Sequence, residues 1–388
     1  MIFSYLVIAE CRYTVYCMNA PKQRFSEIIE TGISGKTIYV RVDYNVSFGE
    51  NGVLDPSELY KIEVSVQTIR QLLAAGARVI IATHFGRAGA DIKSLAPYIE
   101  KYFPVAYIPE WSQVTAQAIQ EKSVGGAVVL LPNTRAYVGE ESNSVEFAKL
   151  LGGLADVFVH EAFSVSHRDH ASVSAIQTVL PSYTGIWHEQ EISHLTRARH
   201  PELPALVIIG GAKFETKLSL IRHYIDMGAQ VAVVGALAHA IYRTRGISIG
   251  QSLCDMDADV SEVLQSSLLW VPDEVVVQGV SSGVARTCLV SDVGESERIV
   301  DAGEHSAHAL QQKIKESKSI IWNGPLGLYE SGFIDATNLV KSALMESDAF
   351  RVIGGGDTMA IIQPDERARV ATFCSTGGGA MLDFLVEG

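Results

Sequence analysis

Phe350-Arg351-Val352-Ile353-Gly354-Gly355-Gly356-Asp357-Thr358 is an apolar run that ends in three glycines, a carboxylate and a hydroxyl. A run rich in Val and Ile, with little alternation, reads as a strand buried on both faces. The glycines read as a turn whose backbone N–H groups are open to an anion. The same pattern recurs along the chain. In the first half the strand tips are Arg41-Val42-Asp43-Tyr44-Asn45, His84-Phe85-Gly86-Arg87, Asn133-Thr134-Arg135 and His167-Arg168-Asp169-His170. In the second half they are Gly210-Gly211-Ala212-Lys213, Asn323-Gly324-Pro325 and Ser375-Thr376-Gly377-Gly378-Gly379. Ligands of open α/β sheets bind beyond the carboxyl ends of the strands. The first half therefore offers a cationic pocket, and the second a phosphate cradle suited to a metal ion. Two such pockets point to a bi-substrate enzyme that handles phosphate.

Working outward, strands are expected at Thr37–Val42, Arg78–Ala82, Ala127–Leu131, Val157–Val159, Ala205–Ile209, Gln230–Val234, Leu268–Pro272, Ser319–Trp322, Phe350–Ile353 and Thr372–Ser375. Amphipathic stretches lie between them, at Val64–Ala74, Val145–Leu150, Lys217–Met227, Val260–Gln265, Ser306–Glu316 and Ala336–Met345. Strand–helix alternation predicts an α/β fold of parallel sheets with helices on both sides. The best boundary falls around Ser182–His200. There Ile186–Arg199 reads as a polar amphipathic helix, broken by His200-Pro201-Glu202-Leu203-Pro204. One helix joining two sheets reads as a hinge.

At 388 residues two domains are the default, and 47% hydrophobic residues suffice for two cores. A net charge of −13 argues against nucleic-acid binding and means that a local cluster of cations must hold any anionic substrate. The five cysteines (Cys11, Cys17, Cys254, Cys288 and Cys374) form no CxxC pair, which favours a reducing cytoplasm. The apolar start, Met1–Ala9, has no basic flank or cleavage site and is too short to span a membrane. Met18 is the expected true initiator.

Arg41, His84, Arg87, Arg135, His167 and Arg168 fall at or just past strand ends. Arg forks match carboxylate and phosphate geometry, so together they would clamp a small, multiply anionic ligand. Asp43 and Asn45 would accept hydrogen bonds from a hydroxyl on it. The spacing of His160, Glu161, His167 and His170 fits no zinc motif. Gly210, Gly211 and the helix that follows them suit a phosphate, and Lys213 and Lys217 share one helical face. Asp357 supplies one hard oxygen for Mg²⁺ shared with phosphates, and Thr358 a hydroxyl for a phosphate oxygen.

Taken together, Val40–Val46, His84–Arg87, His167–Ser172, Gly210–Lys213, Trp322–Gly327, Gly354–Thr358 and Ser375–Ala380 resemble phosphoglycerate kinase, in the family's order and from about Gly32 onward. The resemblance implies two Rossmann-like domains, each a mostly parallel sheet flanked by helices: residues 1–184 for phosphoglycerate and 201–388 for nucleotide, joined by a hinge helix at 185–200. It implies phosphoryl transfer between 1,3-bisphosphoglycerate and ADP, giving 3-phosphoglycerate and ATP, by a monomer that closes about its hinge. By position, Asp43, Asn45, His84, Arg87, Arg135 and Arg168 would hold the phosphoglycerate, with His167 beside them. Lys213 would steady the migrating phosphoryl group. Lys217, Gly210, Gly211, Gly235, Asn323, Pro325, Glu330, Gly354 and Thr358 would hold the nucleotide, and Asp357 its Mg²⁺. Gly355, Gly356 and Gly378 would donate N–H groups to the transition state.

The sequence departs from the family pattern at several points. Lys61 stands where the family has a catalytic Arg, and Lys lacks that side chain's fork. Val234-Gly235-Ala236 replaces a glycine triplet, Pro132 a Glu, and Glu161 an Asp. Ser47–Tyr60 is longer than usual, and the chain ends at Gly388, short of the family's tail. Two alternatives stand beside the active kinase: a catalytically weakened relative with a binding or regulatory role, and a kinase for another small acid.

Overall fold

The computed structural model describes residues 19–49, 51–211, 215–256 and 259–387. Met18, Cys11, Cys17 and Lys213 lie outside the described residues. The chain divides into two compact units, with the division between Ser193 and His194 and with Glu387 rejoining the first unit.

In unit 1, strands β1 (Thr37–Arg41), β2 (Arg78–Ala82), β3 (Val105–Tyr107), β4 (Val128–Leu130), β5 (Val157–His160) and β6 (Ser182–Thr184) form one sheet in the order β3-β4-β2-β1-β5-β6. Every pairing is parallel. Both faces of this sheet are cores. Ile38, Val40, Val79, Ile81, Leu130 and Val159 point to one side, and Tyr39, Ile80, Ala82, Val129 and Phe158 to the other. Double burial is why these strands are apolar at consecutive positions. The Val66–Ala74 helix covers the first core with Ile69 and Leu72, and the Val145–Gly152 helix the second with Phe147 and Leu151.

Unit 2 contains β7 (Ala205–Ile209), β8 (Gln230–Val233), β9 (Leu269–Trp270), β10 (Glu274–Gly279), β11 (Ala285–Leu289), β12 (Glu297–Ala302), β13 (Ser319–Asn323), β14 (Phe350–Gly354) and β15 (Phe373–Cys374). Six of them make a parallel sheet in the order β15-β14-β13-β7-β8-β9. Numbered among the six strands of this sheet and read from β9, that is the 3-2-1-4-5-6 order of doubly wound sheets. The direction of winding reverses between β7 and β13, and a crevice opens at such a point. The architecture is α/β and Rossmann-like in both units.

Two expectations need correction. A three-stranded antiparallel sheet, β11-β10-β12, was not anticipated; it packs Val275, Val277 and Ile299 on Ala238 and Tyr242 of the Ala236–Thr244 helix. Val260–Gln265 is not a helix but consecutive turns, with Val263 and Leu264 donating to the Val260 carbonyl at 3.1 and 3.2 Å. A stretch that short cannot offset the cost of helix nucleation.

The Ile186–Arg199 helix begins where three donors find partners. Ile186 N–H donates to Thr68 Oγ1 (3.1 Å), Trp187 N–H to Glu161 Oε1 (3.2 Å) and His188 N–H to Glu161 Oε2 (3.4 Å). The Thr68 hydroxyl also donates to Glu161. No helix of the described residues is long and apolar enough to cross a membrane.

Candidate active site

In unit 1 the tips of β1, β2 and β4 are tied together by backbone and side-chain bonds. Asn133, beyond β4, accepts from Phe85 N–H (3.1 Å) and donates to the carbonyls of Phe85 (2.7 Å) and Arg87 (3.0 Å). Arg135 Nη1 donates to the Gly86 carbonyl at 2.8 Å, and Gly86 N–H to Asn45 Oδ1 at 2.9 Å. Lys61 Nζ bridges the Asn45 carbonyl (3.0 Å) and the Glu58 carboxylate (2.7 Å). The loop that carries His84–Arg87 is thereby held from both sides.

Arg41 was expected to face the ligand. It is fully buried instead. Its Nε donates to Ser172 Oγ at 2.9 Å, and Nη2 lies 3.3 Å from His84 Nδ1. A guanidinium can only donate, so His84 Nδ1 is the acceptor and its proton sits on Nε2. Burial pushes His84 down to about 3, with Arg41, Arg135 and Arg168 adding to the shift and Asp43 opposing it. At neutral pH His84 is an uncharged donor. Burial works against ionising Asp43, but His84 once protonated in acid, the Ser164 hydroxyl, Lys61 and Arg41 hold its carboxyl below the usual range. Burial and the nearby Arg135 lower Arg168. Guanidiniums crowded in this way gain when an anion arrives. Arg87 and His167 stand exposed at their tips, and Arg135 also meets Glu141 at 3.3 Å.

His160 and Glu161 belong to the interior. His160 Nε2 lies 3.0 Å from Ser166 Oγ, and its ring centroid is 4.6 Å from that of His188. Among the described residues no group of three His, Cys, Asp or Glu side chains is arranged to hold a metal ion.

In unit 2 the switch point is built by backbone contact. A Cβ on Gly210 would lie 2.5 Å from the Pro325 carbonyl oxygen, and one on Gly324 (φ +104°) 2.5 Å from the Gly210 carbonyl carbon. No side chain fits at either place. Lys217 Nζ donates to the Gly210 carbonyl and, at 2.9 Å, to Asn323 Oδ1. Asn323 Nδ2 donates to the Gly354 carbonyl at 2.9 Å, and Gly324 N–H to Thr358 Oγ1 at 2.7 Å. The side chains of Asn323 and Thr358 thus brace neighbouring tips. Burial pushes Lys217 down to about 8, against the pull of Asp357.

A cavity of about 440 Å³ opens beside these tips. It brings together Gly211, Gly235, Pro325, Glu330 and Asp357, expected from separate parts of the sequence. Asp357 is exposed, and Tyr329 OH lies 3.5 Å from its Oδ1. A Cβ on Gly356 would meet nothing within 4 Å. Sequence reasoning missed His239, Tyr242, Arg298 and Asp301, which also line the cavity. Arg298 and Asp301 lie on β12, which the strand pattern did not reveal. His239 and Tyr242 follow the β8 tip and could have been found from that position. Burial raises Asp301 to about 7 although it accepts from Ala302 N–H (2.9 Å) and Ala336 N–H (3.3 Å).

This arrangement has close counterparts. The family model for phosphoglycerate kinase matches residues 28–388. The phosphoglycerate kinase of Maricaulis maris is 34% identical over 384 residues, covering 92% of this chain and 94% of that protein. That of Azorhizobium caulinodans is 33% identical over 383 residues, covering 93% and 96%. A solved structure of phosphoglycerate kinase from Coxiella burnetii has a TM-score of 0.75 at 27% identity, covering 91% of this chain and 94% of that one. One from Pyrococcus horikoshii has a TM-score of 0.80 at 24% identity, covering 94% and 96%, and bears on the fold alone. With the model matched over nearly its whole length, the chain belongs to the phosphoglycerate kinase family.

Proposed function

We propose that unit 1 holds the phosphoglycerate and unit 2 the nucleotide in the reaction this family carries out, reversible phosphoryl transfer between 1,3-bisphosphoglycerate and ADP to give 3-phosphoglycerate and ATP. The enzyme is a phosphotransferase acting on a carboxyl group. The observation that carries the assignment of the two sites is the cavity at the switch point of unit 2, which gathers Gly211, Gly235, Pro325, Glu330 and Asp357.

In unit 1, Arg87, Arg135, Arg168, His167 and Lys61 neutralise the acid and its phosphate. Asp43 and Asn45 accept from the hydroxyl, and His84 donates from Nε2. In unit 2, Lys217 meets the nucleotide phosphates, and Lys213 meets the phosphoryl group in flight. Backbone N–H groups of Gly355, Gly356 and Gly378 donate to its equatorial oxygens. Phosphoryl transfer needs positioning and charge neutralisation more than covalent help, and this residue set supplies both. The exposed Asp357 carboxylate suits Mg²⁺, a hard cation that takes one or two carboxylates plus substrate phosphates and would neutralise charge on them. Ile186–Arg199, the element along which the chain passes from unit 1 to unit 2, is the hinge.

The proposed setting is a monomer in a reducing cytoplasm, where Cys254 and Cys288 stay thiols. Neither the comparisons nor the site favours the binding-only relative. A coupled assay with ATP, Mg²⁺ and 3-phosphoglycerate tests the reading. Turnover is expected, and its absence at high enzyme concentration would remove it.

A further inference from the structure

The Ala236–Thr244 helix carries a histidine into the wall of the unit 2 cavity, deep among apolar neighbours. His239 is 4% exposed, and its Nδ1 lies 2.6 Å from the Leu253 carbonyl oxygen. A carbonyl only accepts, so Nδ1 carries the proton and Nε2 keeps a lone pair. Among the described residues Nε2 has no hydrogen-bond partner, yet it is not sealed from solvent. The space it reaches is the cavity. Burial holds the ring below its ordinary pKa, so the imidazole stays neutral and Nε2 stays an acceptor. Tautomerising to turn Nε2 into a donor would break the bond to Leu253.

We infer that His239 Nε2 reads the nucleotide base, accepting a hydrogen bond from the exocyclic amino group of adenine. This rests on the nucleotide reading of the cavity given above. On the hydrogen-bonding edges of adenine the 6-amino group is the donor, while the ring nitrogens only accept. The amino group is therefore the part of the base that an acceptor-only imidazole selects. A base without it leaves a buried lone pair unmatched, and sites built on a polar contact discriminate strongly against such analogues.

The test is isothermal titration of the full chain with Mg·ADP and with the Mg complex of purine riboside 5′-diphosphate, which differs by a hydrogen in place of the amino group. Wild type should bind ADP about ten-fold or more tightly. His239→Asn keeps a donor for Leu253 at the Nδ1 position and removes the acceptor at Nε2. It should bring the ratio below about three-fold, with the loss falling on ADP. His239→Gln, whose amide oxygen can take the place of Nε2, should retain part of the preference. Equal affinities in wild type, or an undiminished ratio in His239→Asn, overturn the inference while leaving the nucleotide site in place. If wild type binds neither ligand, the nucleotide reading falls and this one with it. The wild-type comparison needs no variant, so a misfolded His239→Asn would not shield the idea.

Discussion

Lys217 carries an ammonium group into a position that is largely shielded from water, with its protons on Gly210 and Asn323. Its depressed pKa of about 8 belongs to the free enzyme, and phosphate oxygens brought by a nucleotide raise it again. On the role proposed for Lys217 it is the protonated form that takes phosphate, so kcat/KM for ATP should fall as pH rises through about 8, while kcat holds to higher pH. Lys217→Arg should move the descending limb upward. A profile of kcat/KM flat to pH 9.5 would contradict the role. Lys217→Ala should lower kcat/KM by roughly 100-fold, the scale of losing one positioned charge donor. Lys61 presents a different case: its ammonium is held by Asn45 and Glu58 beside Asp43. Lys61→Arg restores a fork and should raise kcat, as a coupled assay would detect. A clear loss would mean that the Asn45 and Glu58 contacts depend on the shorter lysine.

Elements differ in how openly the sequence declares them. Strands β1, β2, β7, β13 and β14 were legible because burial on both faces puts apolar residues at consecutive positions, as in Ile38-Tyr39-Val40, Val79-Ile80-Ile81 and Ile320-Ile321-Trp322. Strand β3 has only three half-buried residues, and β6 is a polar Ser-Tyr-Thr, so neither stood out. Strands β10–β12 hid because β11 is exposed at four of five positions. The strand tips were legible as sites because a parallel sheet gathers its carboxyl ends on one side, whereas Arg298 and Asp301 needed a packing that no local pattern announces. The start of the Ile186–Arg199 helix was legible only as a glycine boundary. A Cβ on Gly185 would lie 1.7 Å from Glu161 Oε2, so the carboxyl occupies the space a side chain would need. Gly185→Ala should cost about 1–3 kcal/mol in urea unfolding, and less in a Glu161→Asp background, where the carboxyl is drawn back. Equal costs in both backgrounds would exclude this contact as the cause. Burial also raises Glu161 to about 8 from an ordinary 4.5. Between those values the folded chain holds a proton that the unfolded chain has released. Stability therefore falls as pH rises across that window, by up to about 1.4 kcal/mol per pH unit. Glu161→Gln should flatten that slope, and parallel melting curves for the two proteins would refute the assignment.

As a whole the molecule repels what it must bind, since its net charge is −13 and its ligands are anions. The proposed remedy is local, a cation cluster in one unit and a glycine-lined cradle in the other. If ligands divide between units as proposed, hydrogen exchange with Mg·ADP should protect amides near Gly211 and Gly235. Exchange with 3-phosphoglycerate should protect those between Asp43 and Gly86. A reversed pattern would invert the assignment. The division between units falls inside the Ile186–Arg199 helix, not in a loop. A helical backbone resists the extended fit that a protease active site demands. Limited digestion should spare this junction and cut first at the hairpin turn spanning Val280 and Val284, which are 48% and 68% exposed. Elastase fragments weighed by mass spectrometry would keep unit 1 joined through the intact helix to the first part of unit 2, so separating the two units calls for genetic scissors and not enzymatic ones.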